Sequence, residues 1–322
     1  MDKETSYEDR HALPPPLMAA VEKFDAWSKK QQLIEQNAAT PIVPLYHYTG
    51  EEALVGILRQ EKLWYFSHLH QSDPKEFEYS LACALDVIRQ VGKSDDFWTK
   101  HFCGCIEDML VTNGLASPFD FYLFSFSRHR DDPGQWRQYG KNGQGFAIGV
   151  APVLLQPDTD VLSPQANENL HIGRVIYGDR ETNSRHRQVI KKAAAITSQV
   201  ARRNRQWIDL VRPVPYLAAM ARDVLASHLI WNCLTAKEMK FANEREVRGI
   251  VMGVRERFDA HRKTLGTRAY IEVPLRLRTP GGIAEIFVGP NAPADAEGKV
   301  RALLKAEGYA ELIPVIRSSA VV

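Results

Sequence analysis

Residues 122–150, YLFSFSRHRDDPGQWRQYGKNGQGFAIGV, leave the backbone few choices. Phe121 to Ser127 alternates, with Tyr122, Phe124 and Phe126 on one face, so the spacing predicts a strand. Asp132-Pro133-Gly134-Gln135 is helix-start chemistry, with Asp as cap and Pro at the first helical position. Gly140 ends that helix after barely two turns, and Gly143 and Gly145 permit a tight return into a strand over Phe146 to Val150. Trp136 and Tyr139 are three apart and share one side of the short helix. Trp136 reads as core, and Tyr139, beside Gly140, as the better ligand candidate, with Ser127 and Arg137 near it. A polar loop and short helix between two strands describe one wall of a pocket.

The remaining elements follow from the same signals. Pro16 can begin a helix after a loose lead-in, and Leu17, Val21, Phe24 and Trp27 form its stripe before NAATPIVP (37–44) breaks it. Leu45 to Tyr48 is a short strand, with Leu45 and His47 on one face and Tyr46 and Tyr48 on the other. Thr49 with Glu52 forms a capping box for a helix, and Leu63 to Ser67 is the next strand. Asp73-Pro74-Lys75-Glu76 starts a helix with a Phe77, Leu81, Leu85, Ile88 stripe, and another fits 95–113, closed by Gly114. Residues 151–170 read as loop, 173–177 as strand and 180–231 as mostly helix. Residues 240–252 end in a strand, with Glu246, Arg248 and Ile250 on one face, and 270–277 is another, at an edge because of Pro274. Ile283 to Gly289 is a strand, Ala292 to Glu307 a helix, and Glu311 to Ile316 a last strand.

Composition bounds the function classes. The chain of 322 residues is 44% hydrophobic and 25% charged, the usage of a globular protein. Its net charge of +2 argues against bulk electrostatic binding to nucleic acid, and the seven Lys/Arg between Arg185 and Arg205 read first as a solvated helical face. The N-terminus MDKETSYEDR has no apolar segment, and no run is long enough to cross a bilayer, so a cytoplasmic protein with no membrane partner is expected. Cys103 and Cys105 form C-x-C rather than C-x-x-C; with Cys83 and Cys233 they read as reduced, mostly buried thiols.

Three chemistries compete. His47 ends a strand two residues before a helix cap, where a neutral imidazole can bond a ligand hydroxyl; alone, it reads more simply as a histidine satisfied by backbone. Glu244 and Glu246, two apart at a strand edge, point to one face and could stabilise a developing oxocarbenium ion; alone, they read as surface partners of Arg245, Arg248 or Lys240. His68, His70 and Asp73, or His129, Asp131 and Asp132, offer metal-type ligands, but Asp73 and Asp132 already serve as helix caps.

From about residue 44 the chain resembles the bacterial family catalogued as domain of unknown function 2971. The features are LYHYT, then Ser72-Asp73-Pro74-Lys75-Glu76, the FS strand, Trp136 with Tyr139, and Gly145 to Gly149. Lys240, Glu244, Glu246 and Arg248 follow, and then Ile283, Ile286 and Gly289. The opening, His47-Tyr48-Thr49 with Gly56-Ile57-Leu58 and Lys62 to Ser67, also resembles ADP-ribosyltransferase-like domains. That second resemblance implies an α+β fold with a split mixed sheet around a cleft, flanking helices and an N-terminal helical extension. It implies NAD as substrate and no metal. His47, Tyr48 and Thr49 would hold a ribose, Tyr139 would stack on nicotinamide with Ser127 nearby, Glu246 would stabilise the oxocarbenium ion, and Glu244 would orient a protein or nucleic-acid acceptor. Tyr65 and Tyr79 compete with Tyr139 for the stacking role. A nucleotide sensor without turnover, and a metal-dependent hydrolase or nuclease at His68/His70, are the alternatives. The expected organisation is an extension over 1–43 and one domain over 44–322.

Overall fold

The computed structural model describes residues 13–70, 75–113, 119–155, 170–211, 213–309 and 312–322. The expected lead-in at 1–12, the Asp73-Pro74 helix start, the Gly114 stop and most of the 151–170 loop fall outside them. The protein is mixed α+β, and its strands are β1 (Leu45–Thr49), β2 (Lys62–Ser67), β3 (Phe119–Ser127), β4 (Phe146–Val150), β5 (Leu170–Arg174), β6 (Ile176–Tyr177), β7 (Ala236–Lys237), β8 (Glu246–Val254), β9 (Lys263–Leu265), β10 (Arg268–Pro274), β11 (Ile283–Val288) and β12 (Val315–Arg317).

The chain divides into a helical unit, from the described residues of Met1–Ile34, Pro74–Phe119 and Ile176–Met239, and a sheet unit from Glu35–Asp73, Asp120–Val175 and Lys240–Val322. The N-terminal helix, Pro15–Ala39, extends past the expected break at 37, and most of it packs into the helical unit instead of standing apart. Leu17, Val21 and Phe24 are buried as their spacing predicts. Helix Glu76–Val91 is rotated from its expected stripe: Glu76, Ser80, Cys83, Ala84, Val87 and Ile88 are buried, while Leu81 and Leu85 are only half-buried. Polar partners account for the rotation. Buried Glu76 pairs with buried Lys237 at 3.1 Å, and Ser80 Oγ lies 3.2 Å from His186 Nε2. A buried charge is tolerated when paired, so the pair holds the face inward.

The sheet unit carries ten strands, with path order β12-β11-β4-β1-β3-β2-β10-β9, and β8 pairs with both β3 and β5. β11 and β12 run parallel, and the other pairings with a resolved register are antiparallel. β9 pairs with β10 only over Arg268 to Tyr270, so the end that carries Pro274 pairs with β2 on one side and lies at a local edge, as expected. Pro274 is its last residue, opposite Lys62, where a missing amide costs least. Leu45, Tyr65, Phe124, Phe126, Val247 and Val251 belong to the main core on one face. Tyr46, Tyr48, Trp136, Ala147 and Phe287 make a second core on the other. The alternation of β1 is therefore correct in phase, but both of its faces are packed.

β1 and β2 take different ends of β3. Tyr46 stands opposite Ser127, whereas Phe66 and Ser67 stand opposite Leu123 and Tyr122. Residues 124–126 lie between the two registers. The capping box expected at Thr49 is absent: Thr49 is the last residue of β1, and Gly50 is the N-cap of helix Glu51–Gln60 without a side-chain bond.

Candidate functional site

β3 is buried from Phe121 to Ser127 except at Ser125, which is exposed. An exposed serine inside an otherwise buried strand marks an opening, and it lies between the registers of β1 and β2. Two of the sequence-nominated groups reach this residue. The Ser125 hydroxyl donates to Glu246 Oε1, and the Ser125 carbonyl lies 3.2 Å from His47 Nδ1.

His47 is half-buried, with its ring centroid 4.3 Å from that of Phe124. Burial lowers its pKa to about 4, so the ring is neutral at neutral pH. A carbonyl only accepts, so the bond to Ser125 assigns the proton to Nδ1 and makes Nε2 the acceptor. His47 shares the parity of core residue Leu45, and Glu246 has the opposite parity to Val247 and Val251. The two therefore stand on different faces and meet only through Ser125.

Glu246 is 4% exposed and Arg248 1%, which makes theirs a buried pair rather than a surface one. Arg248 donates through Nε to Glu246 Oε1 at 2.8 Å and through Nη2 to Oε2 at 3.0 Å. The sequence named Arg248 as a partner for the glutamates but placed the pairing in solvent. Ser125 was not foreseen at all, although its polar place in Phe124-Ser125-Phe126-Ser127 was the available signal.

Glu244 is not on the strand beside Glu246. It ends a 3₁₀ turn, Met239–Glu244, and Arg245 follows with φ 44°, a left-handed conformation uncommon for a side-chain-bearing residue. Arg245 breaks the alternation, so strand parity does not set the direction of one carboxylate from that of the other. Glu244 instead accepts from the Tyr139 hydroxyl at 2.8 Å, and its carbonyl accepts from Ser127 Oγ at 2.9 Å. Tyr139 and Glu244 are thus brought together, and Tyr139 packs half-buried against the second core.

Several nominated hydroxyls are occupied by the fold. Tyr48 is buried against Trp136, donates to the His129 carbonyl at 3.0 Å and accepts from the Asp132 amide at 3.1 Å. Ser127 also accepts from the His129 amide, at 3.0 Å, and Thr49 is buried. Tyr65 is in the main core, while Tyr79 bonds Asp179 in the helical unit, so neither displaces Tyr139. Arg137 is exposed. Asp132 caps its helix as expected, accepting from the Gln135 amide at 2.8 Å. Beside this region Glu285, unforeseen from the sequence, accepts from Tyr46 Oη at 2.6 Å and from Arg130 at 2.7 and 2.6 Å.

The metal-type residues are dispersed. His68 is buried edge-on to Phe121, and His70 Nδ1 accepts from the Ala269 amide. Asp131 accepts from Trp136 Nε1 and Ser318 Oγ, both at 2.6 Å. Among the described residues no three His, Cys, Asp or Glu side chains gather as a metal would need. No helix among them is long and apolar enough to cross a membrane.

Residues 135–249 match the model of a protein family of unknown function, DUF2971, which supports over that stretch the family resemblance drawn from the sequence. No curated protein and no solved structure matches the chain.

Proposed function

We propose that the sheet unit binds a nucleotide of the NAD type at the opening beside Ser125 and transfers ADP-ribose from it. The observation that carries the reading is that Glu246, buried and paired with Arg248, meets the hydroxyl of the exposed Ser125, on the face opposite His47. In the reaction the bond between ribose C1′ and nicotinamide breaks, and nicotinamide leaves as a neutral molecule with the bonding pair. Glu246 stabilises the positive charge that develops on the ribosyl group. Arg248 bonds both oxygens of the Glu246 carboxylate, and Ser125 fixes its direction. Tyr139 supplies a ring for stacking, and His47, on the opposite face, holds the Ser125 carbonyl. Glu244 takes the proton of the acceptor nucleophile as it bonds to C1′.

A second reading, nucleotide binding without turnover, is favoured by one fact. Ser125 and Arg248 already take at least three of the roughly four lone-pair positions of Glu246. Incubation with nicotinamide-labelled NAD separates the two. Nicotinamide release that disappears in Glu246→Gln supports transfer. Calorimetric NAD binding with no release supports the sensor. Absence of both binding and release overturns the proposal.

A further inference from the structure

We infer that the ridge formed by helices Asp179–Arg203 and Arg205–Val211, in the helical unit, is a docking surface for single-stranded nucleic acid. It goes beyond the nucleotide reading and does not depend on it. Seven Lys/Arg and no acid lie between Arg185 and Arg205, in a chain whose net charge is only +2. Four of these cations serve the fold: Arg185 bonds Thr235, Arg187 bonds Gln90, Arg202 pairs with Asp96, and Lys192 lies over the Trp27 ring. Lys191, Arg203 and Arg205 are exposed and have no acidic partner among the described residues. Trp207 is 38% exposed, just beyond them.

A solvated helix ordinarily intersperses acids at i, i+4 to offset its cations. Here Arg187 and Lys191 stand at i, i+4 with no acid between Arg185 and Arg205, an arrangement that costs helix stability and that an anionic partner relieves. The cations suit phosphates, and the indole suits a base, which is the combination single strands require. A membrane surface would call for several apolar side chains, and among the described side chains of the ridge Trp207 is the one large apolar group that is exposed.

Fluorescence anisotropy of the full-length protein with a labelled oligouridylate, over a range of salt, tests the inference. Binding should weaken with salt with a log–log slope of about −2, at roughly 0.7 per cation for three cations. Lys191→Glu with Arg203→Glu and Arg205→Glu should lose at least about tenfold in affinity and flatten that slope. Trp207→Ala should weaken binding with the slope unchanged. Should the triple variant misfold by circular dichroism, Lys191→Gln with Arg203→Gln is read the same way. No binding at low salt, an unchanged triple variant, or binding to phosphatidylserine vesicles but not to the oligonucleotide overturns it.

Discussion

Glu246 and Arg248 stand two residues apart on β8 and close a two-pronged ion pair, at 2.8 and 3.0 Å, with neither side chain exposed above 4%. The alternation of a strand puts i and i+2 on one face, so the pair is local in sequence. Its burial is a tertiary matter, because β8 lies between β3 and β5.

Removing one partner of that pair leaves a buried charge uncompensated. Arg248→Ala is expected to lower stability by about 3–5 kcal/mol. Combining Glu246→Gln with Arg248→Met removes both charges and should cost less than the single change. Urea unfolding of the three proteins checks this; a double variant no more stable than Arg248→Ala would refute the account.

His47 provides a prediction in pH. Its folded pKa, lowered by burial to about 4, lies below the ordinary 6.5, so between these values the unfolded chain binds more protons. Its contribution to stability is present above about pH 6.5 and is lost as pH falls through 4. The imidazole resonances should titrate near 4 by NMR, and His47→Gln should reduce the slope of stability across that window. A midpoint near 6.5 would contradict the buried neutral ring.

Glu285 titrates in the other carboxylate setting. The Arg130 guanidinium, then the Tyr46 hydroxyl, hold its carboxyl below the ordinary 4.5 against the opposing effect of burial. The folded state therefore binds this proton more weakly, and the stabilisation is complete above about pH 4.5 and disappears as pH drops through the lowered value. Arg130 is 60% exposed, so screening reduces the effect. Arg130→Gln should shallow the acid limb of the stability curve, because it lowers stability at neutral pH, by an amount reduced by screening, and leaves stability in strong acid little changed. An acid limb identical to that of the wild type would count against it.

Gly249 makes space for Tyr65. A Cβ there would press on the Tyr65 hydroxyl and stand 2.8 Å from its ring Cζ, with Tyr65 itself fixed in the core. Gly249→Ala should cost about 1–3 kcal/mol through overpacking, and Tyr65→Phe in the same chain should recover part of it. Thermal unfolding of the single and double variants reads this out; equal melting temperatures for Gly249→Ala and wild type would exclude it.

The sequence by itself determined the elements whose cause is local. The β3 alternation, the Asp132 cap with Pro133, and the phase of β1 depend on spacing and cap chemistry within a few residues, and each formed where those signals lie. It also brought His47, Tyr139, Glu244 and Glu246 forward as chemistry-bearing residues. Tertiary structure decided the rest, because burial depends on what arrives from elsewhere in the chain. Lys237 turned Glu76 inward, the left-handed Arg245 separated Glu244 from Glu246, and the second core consumed the Tyr48 hydroxyl. Ser125 became the meeting point of His47 and Glu246 only when β1 and β2 took opposite ends of β3, a register that no local pattern encodes.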